Sequence, residues 1–164
     1  MTNKELQEKI AHLEAELAEV KEMAVAMEKK ADGGVFKPED RQKYWSIMSV
    51  GDVAADWWND HQFDHERYAI GNCFPSKQAA EDAVRVLKLI QKARESQDGY
   101  VPDWKDYEQC KCFVYFDSGE ICILIHDYKD VAPLFGYWED ESVCDKFVLE
   151  NREELLWYFT EYRR

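Results

Sequence analysis

Asn3-Lys4-Glu5-Leu6-Gln7-Glu8-Lys9-Ile10-Ala11-His12-Leu13-Glu14-Ala15-Glu16-Leu17 places leucine or isoleucine at alternating steps of four and three, and Val20, Ala24, Met27 and Ala31 continue the rhythm. This is the spacing of an apolar heptad stripe along one side of an α-helix. Thr2 with Glu5 three residues on is a capping-box pair, and Gly33-Gly34 is a stop signal. Residues 1–32 are therefore expected to form one helix. The steps put Leu6, Leu13, Val20 and Met27 at d and Asn3, Ile10, Leu17, Ala24 and Ala31 at a. Asparagine at an a position favours parallel, in-register pairing. In that arrangement Lys9 meets Glu14 and Glu16 meets Lys21 of a second copy, each contact worth only about 0.3 kcal/mol. The expectation is a coiled-coil arm that makes a parallel homodimer through residues 2–32, carried by Asn3, Leu6, Ile10, Leu13, Leu17, Val20 and Met27. The competing reading packs the helix on its own domain, which would leave the e and g charges without a role.

Residues 33–42, with Gly33-Gly34 and Pro38, read as a linker, and residues 43–164 as one acidic α+β domain. Within it Lys43 to Val50 alternates like a strand, Asp52 to Glu66 reads as an aspartate-rich loop, and Arg67 to Phe74 as a second strand with a bend at Gly71-Asn72. Ser76 caps a helix running to about Gln97, whose inner side is read as Ala79, Ala80, Ala83, Val84, Leu87, Ile90 and Gln91. Lys111 to Phe116 and Glu120 to His126, joined by Asp117-Ser118-Gly119, form a hairpin. A fifth strand, Phe135 to Trp138, leads into a helix from Asp140 and another over 151–162. The expected architecture is an antiparallel sheet of about five strands covered by helices. An internal echo runs through it: aligning Phe74 with Trp138 superposes Ser76 on Asp140, Ala80 on Cys144 and Val84 on Val148.

Net charge is −13 and aromatic residues make up 14% of the chain. Such a charge opposes attraction to nucleic acid or to an anionic membrane and suits a partner with a basic surface. Residues 98–164 carry 16 acidic against 7 basic side chains, while 33–97 are nearly balanced. Five cysteines, with no C-x-x-C pair and no histidine at zinc-finger spacing, suit buried thiols in a reducing cytosol. No secretory signal and no apolar run of bilayer length occurs. The chain is thus expected to be cytoplasmic, without cofactor or metal.

Tyr44-Trp45-x-Ile47, the run Arg67-Tyr68-x-Ile70-Gly71-Asn72-x-Phe74-x-Ser76, Pro102-Asp103-Trp104 with Gln109, and a late aromatic pair before an acidic helix start resemble a family of small proteins of phage and prophage accessory genes. The resemblance covers most of residues 43–160, and Gly71-Asn72-x-Phe74 is its most specific element. Cys110 and Cys112 stand where such proteins more often show a Lys-Tyr-Tyr type strand. The family has no assigned activity, so the resemblance implies a genetic setting and a fold. Small accessory proteins of phages often bind and block host machinery, including CRISPR and other defence systems, and the resemblance carries that expectation over.

No phosphate loop, nucleophile elbow or H-E-x-x-H motif is present. His61 and His65 stand four apart and would suit a divalent metal only on a helix, whereas their surroundings read as a solvated loop. The candidate partner-binding residues are Asp52, Asp56, Trp57, Trp58, Asp60, Asp64, Trp104, Glu139, Asp140 and Glu141. Two readings of these acids stay open: ordinary solvated surface and helix-start charges, or a mimic of a phosphate array that fills a basic groove. The expected function is a non-enzymatic phage or prophage module that dimerises and inhibits a host protein, such as a nucleic-acid-handling CRISPR effector. The alternatives are a small-ligand or nucleotide-binding module and a virion or packaging accessory.

Overall fold

The computed structural model describes residues 36–125 and 132–163, together with Gln7, Lys9, Ile10, His12, Leu13, Glu14, Leu17 and Lys21. Those eight early residues are helical and exposed. Asn3, Leu6, Val20, Met27, the cap at Thr2, the stop at Gly33-Gly34 and the hairpin end at His126 lie outside the described residues. Two compact units make up the chain, 1–84 and 85–164, and the division falls inside a continuous helix.

In the first unit β1 (Lys43–Ile47) pairs antiparallel with β2 (Val53–Trp57), with Lys43 opposite Trp57 and Ile47 opposite Val53. Gly51, at φ +85°, turns the chain between them, a backbone geometry that glycine adopts without steric cost. Two further backbone bonds, Arg41 N to Trp58 O at 2.8 Å and Trp58 N to Gln42 O at 2.9 Å, prolong the pairing beyond the strands. Helix α1 (Gln62–Ala69) follows, and then α2 (Lys77–Ser96). Tyr44, Trp58 and Cys73 are buried together, with Phe36 and Tyr68 against them.

In the second unit β3 (Cys112–Asp117) and β4 (Glu120–Ile125) form the hairpin that the sequence announces. Helices α3 (Glu141–Glu150) and α4 (Arg152–Trp157) follow, and the chain widens into a π turn over Tyr158–Tyr162. Leu89, Ala93, Cys112, Trp138, Cys144, Phe147 and Leu155 form the centre of this core. Burying each large side chain there contributes about 1.5–3 kcal/mol over leaving it exposed. Val86, Leu89 and Ala93 of α2 join this core, while Leu87, read as inward, is exposed.

The single five-stranded sheet is not what forms: the described residues make two separate two-stranded antiparallel sheets. The reason is local. Residues expected to supply strands at 67–74 and 135–138 each contribute one bridging residue, because Arg67 to Ala69 closes a helix and Gly71 and Gly136 turn the backbone at positive φ. Phe74 exchanges both backbone hydrogen bonds with Trp45, at 2.9 and 2.8 Å. Trp138 does the same with Cys112, at 3.1 and 2.9 Å.

The two units therefore repeat one plan: a hairpin, a single aromatic residue bridged to its first strand, a capped helix and a small residue buried on that helix. Ser76 Oγ accepts from Ala79 N at 3.1 Å, and Asp140 Oδ1 accepts from Ser142 N at 2.7 Å. Ala80 and Cys144, superposed by the sequence echo, are both fully buried. Two-stranded hairpins are marginal alone, and the bridge plus the helix stabilises each. No helix among the described residues is long and apolar enough to cross a membrane.

Candidate interaction cleft

The aspartate-rich stretch is a strand, a turn and a helix start rather than a loop, and it is held by a buried carboxylate. Asp64, only 4% exposed, occupies the first turn of α1. Its Oδ2 accepts from Asn59 N at 3.0 Å and from His61 N at 3.1 Å, and its Oδ1 accepts from the Tyr44 hydroxyl at 2.8 Å. Burial alone would raise this carboxyl, but the Asn59 N–H, the Tyr44 hydroxyl and the His61 N–H outweigh it and hold it below the ordinary carboxylate range. Burial pushes the Tyr44 hydroxyl up to about 12; the Arg67 donor opposes this and the Asp64 acceptor adds to it. Arg67 Nη1 donates to Tyr44 Oη at 2.7 Å and to Asp56 Oδ2 at 2.6 Å, and these two partners hold its guanidinium charged.

This relay shapes a cleft of 480 Å³ lined by Asp56, Trp57, Asn59, His61, Gln62, Phe63, Asp64 and Arg67. Trp57 is 56% exposed and Phe63 74% exposed. From Asp52 to Glu66 the chain carries five carboxylates and no lysine or arginine; Arg67 is the first cation. The cleft thus couples two displayed aromatic side chains to a negative surround, a combination suited to a cation with a flat or apolar body.

Of the residues nominated from sequence, Asp56, Trp57 and Asp64 line the cleft. Asp60 lies beside it at φ +59°, with His65 Nε2 at 2.9 Å from its Oδ1. Asp52 is exposed at the hairpin turn, where its carbonyl accepts from Met48 N at 2.7 Å. Trp58 is buried, packed edge-on against Tyr44, His65 and Tyr68. Trp104, Glu139, Asp140 and Glu141 belong to the second unit. Trp104 packs on Tyr137 with ring centres 5.3 Å apart, Asp140 caps α3, and Glu139 and Glu141 are exposed. The Ser142 hydroxyl and N–H hold the Asp140 carboxyl below its usual range. The site also includes Phe63 and Arg67, which the sequence reading left out of it.

The helix that would give His61 and His65 a common face does form, but His61 is its cap residue and His65 turns to Asp60. Among the described residues no group of three His, Cys, Asp or Glu side chains could hold a metal ion. All five cysteines are free thiols. Cys112 Sγ donates to Trp138 O at 3.1 Å, and burial pushes this thiol up to about 12 and the Cys73 thiol up to about 11. A shift in this direction disfavours the thiolate, the reactive form, at neutral pH.

Comparison of the chain with protein families, curated proteins and solved structures finds no match.

Proposed function

We propose that this protein is a non-enzymatic interaction module of phage or prophage origin that dimerises through its N-terminal helix and inhibits a host protein with a basic surface. The observation that carries the reading is the stretch from Asp52 to Glu66, free of lysine and arginine, which keeps Asp52, Asp56, Asp60 and Glu66 at the surface together with exposed Trp57 and Phe63. Such a surface attracts a basic partner over long range and offers apolar area for the final contact. The arm supports the same reading: Ile10, Leu13 and Leu17, all on the heptad stripe, are 48%, 53% and 54% exposed in the single chain. A second copy would cover them. The host target is a nucleic-acid-handling protein such as a defence nuclease, whose basic groove complements the acidic run.

Titration of the full-length protein into basic nucleases tests this. Inhibition is expected at low salt and should fade as the ionic strength rises from about 0.05 to about 0.5 M. Absence of inhibition and binding across the panel at low salt would overturn the proposal.

A further inference from the structure

The acidic run explains attraction to positive charge in general, but the cleft is more selective than that. We infer that it is an arginine-reading site: a single arginine of an extended basic segment on the partner inserts beside Trp57 and Phe63, with its guanidinium toward the carboxylates of Asp56 and neighbouring Asp60. The inference rests on the basic-partner reading above and adds the residue type recognised.

Three observations bear on the occupant. First, the lining carries two aromatic side chains, Trp57 from the end of β2 and Phe63 from the first turn of α1, and both are more than half exposed. A guanidinium stacks on such faces and sheds water readily, whereas an ammonium is compact and strongly hydrated. Second, this protein already sets cations over aromatic rings: Lys43 lies 4.9 Å from the Trp45 ring centre, and in each unit an arginine adds a carboxylate partner to the ring. Arg67 lies 5.9 Å from the Tyr44 ring centre and pairs with Asp56 at 2.6 Å. Arg85 lies 3.8 Å over the Trp157 ring and pairs with Glu154 at 2.5 Å. Third, the charged residues lining the cleft are Asp56, Asp64 and Arg67; Arg67 is itself engaged by Asp56 and Tyr44, and exposed Asp60 beside the cleft tips the balance towards an incoming cation. The same balance disfavours a nucleotide, whose base would suit the aromatic rims but whose phosphates would meet the carboxylates.

The test is calorimetric titration of the full-length protein with two end-blocked peptides, Gly-Arg-Gly-Arg-Gly and its lysine counterpart, at equal ionic strength, with adenosine monophosphate as a third probe. The arginine peptide is expected to bind about tenfold more tightly than the lysine peptide. Trp57→Ala is expected to reduce that margin to about twofold or less while the weak, salt-sensitive binding of both peptides persists. Phe63→Ala, at a solvent-exposed helical position, provides a second reading with little risk to folding, and the melting curve of each variant checks that it folds. Equal binding of the two peptides would overturn the arginine site and leave the acidic-surface proposal standing. Failure of both peptides to bind at low salt would overturn both. Tighter binding of the nucleotide than of the arginine peptide would replace this inference with a nucleotide site.

Discussion

The Tyr44 hydroxyl reaches Asp64 Oδ1 at 2.8 Å across twenty residues of chain, so the first strand and the first helix are joined through one buried carboxylate. The pH dependence follows from the two shifts. Asp64 has its folded pKa depressed, so its stabilisation is present above the unfolded value of about 3.9 and is lost as the pH falls through the lower folded value. Tyr44 has its folded pKa raised, so its stabilisation is complete below about 10 and is lost as the pH rises towards about 12. Tyr44→Phe should remove this residue's share of the alkaline loss, leaving that of Cys73, Tyr100 and Cys112, and destabilise the protein by about 1–3 kcal/mol at neutral pH, because it strips a donor from a buried charge. Urea unfolding from acid to alkaline pH, comparing the variant with the wild type, measures both effects.

Asn72 completes the exposed side of β1 with its side chain. Its Oδ1 accepts from Ile47 N at 2.7 Å and its Nδ2 donates to Ile47 O at 2.9 Å, which imitates a strand neighbour one pair beyond the Phe74 to Trp45 bridge. Gly71, at φ +74°, aims the chain so that both contacts form. Asn72→Ala should cost about 1–3 kcal/mol, and Asn72→Asp should recover little because it keeps the acceptor and loses the donor. Thermal melts of the two variants separate these outcomes.

Gly136 is the tight point of the second unit. At φ +79° an added Cβ would sit 2.8 Å from Gln97 Nε2, which donates to Phe135 O at 2.5 Å. Gly136→Ala should therefore destabilise by about 1–3 kcal/mol through backbone strain and the displaced amide. Gly119→Ala, at φ +90° with open space around it, should show the strain alone and cost less. A difference in melting temperature between the two variants is the readout.

Leu13 lies at the centre of the heptad stripe and is half exposed in the single chain. Leu13→Asp should abolish the dimer while leaving the circular dichroism of residues 43–164 unchanged. Light scattering that reports the same mass for variant and wild type would refute the coiled-coil arm.

The β3–β4 hairpin is legible because two apolar runs, Cys112 to Phe116 and Ile121 to Ile125, are separated only by Asp117-Ser118-Gly119-Glu120, where Ser118 and Gly119 take positive φ. The helix after Ser76 is legible from its cap and its alanines. Strand β2 is not, since Val53-Ala54-Ala55-Asp56-Trp57 is rich in residues with little strand preference and is set by pairing with β1. Helix α1 has no apolar stripe, and its buried residue is an aspartate, which caps the helix start locally through the Asn59 and His61 N–H groups and is drawn inward by the distant Tyr44 hydroxyl. That same helix brings Phe63 and Arg67 to Trp57. Three of the eight lining residues, Asp56, Trp57 and Asp64, were therefore visible as acids and aromatics in the sequence, while Phe63 and Arg67 depended on a helix anchored in part by Tyr44, twenty residues away.

The chain divides after Val84, in the middle of α2, and this decides how the protein can be cut. A fragment ending at Val84 would keep eight residues of α2, too few to hold a helix by themselves. One beginning at Arg85 would start on a helix stripped of its Ser76 cap, with Val86 and Leu89 of its core next to a frayed terminus. The two halves are built to the same plan, yet neither can be harvested alone by severing the chain where their cores part; a viable excision has to give each half its own full copy of the shared helix.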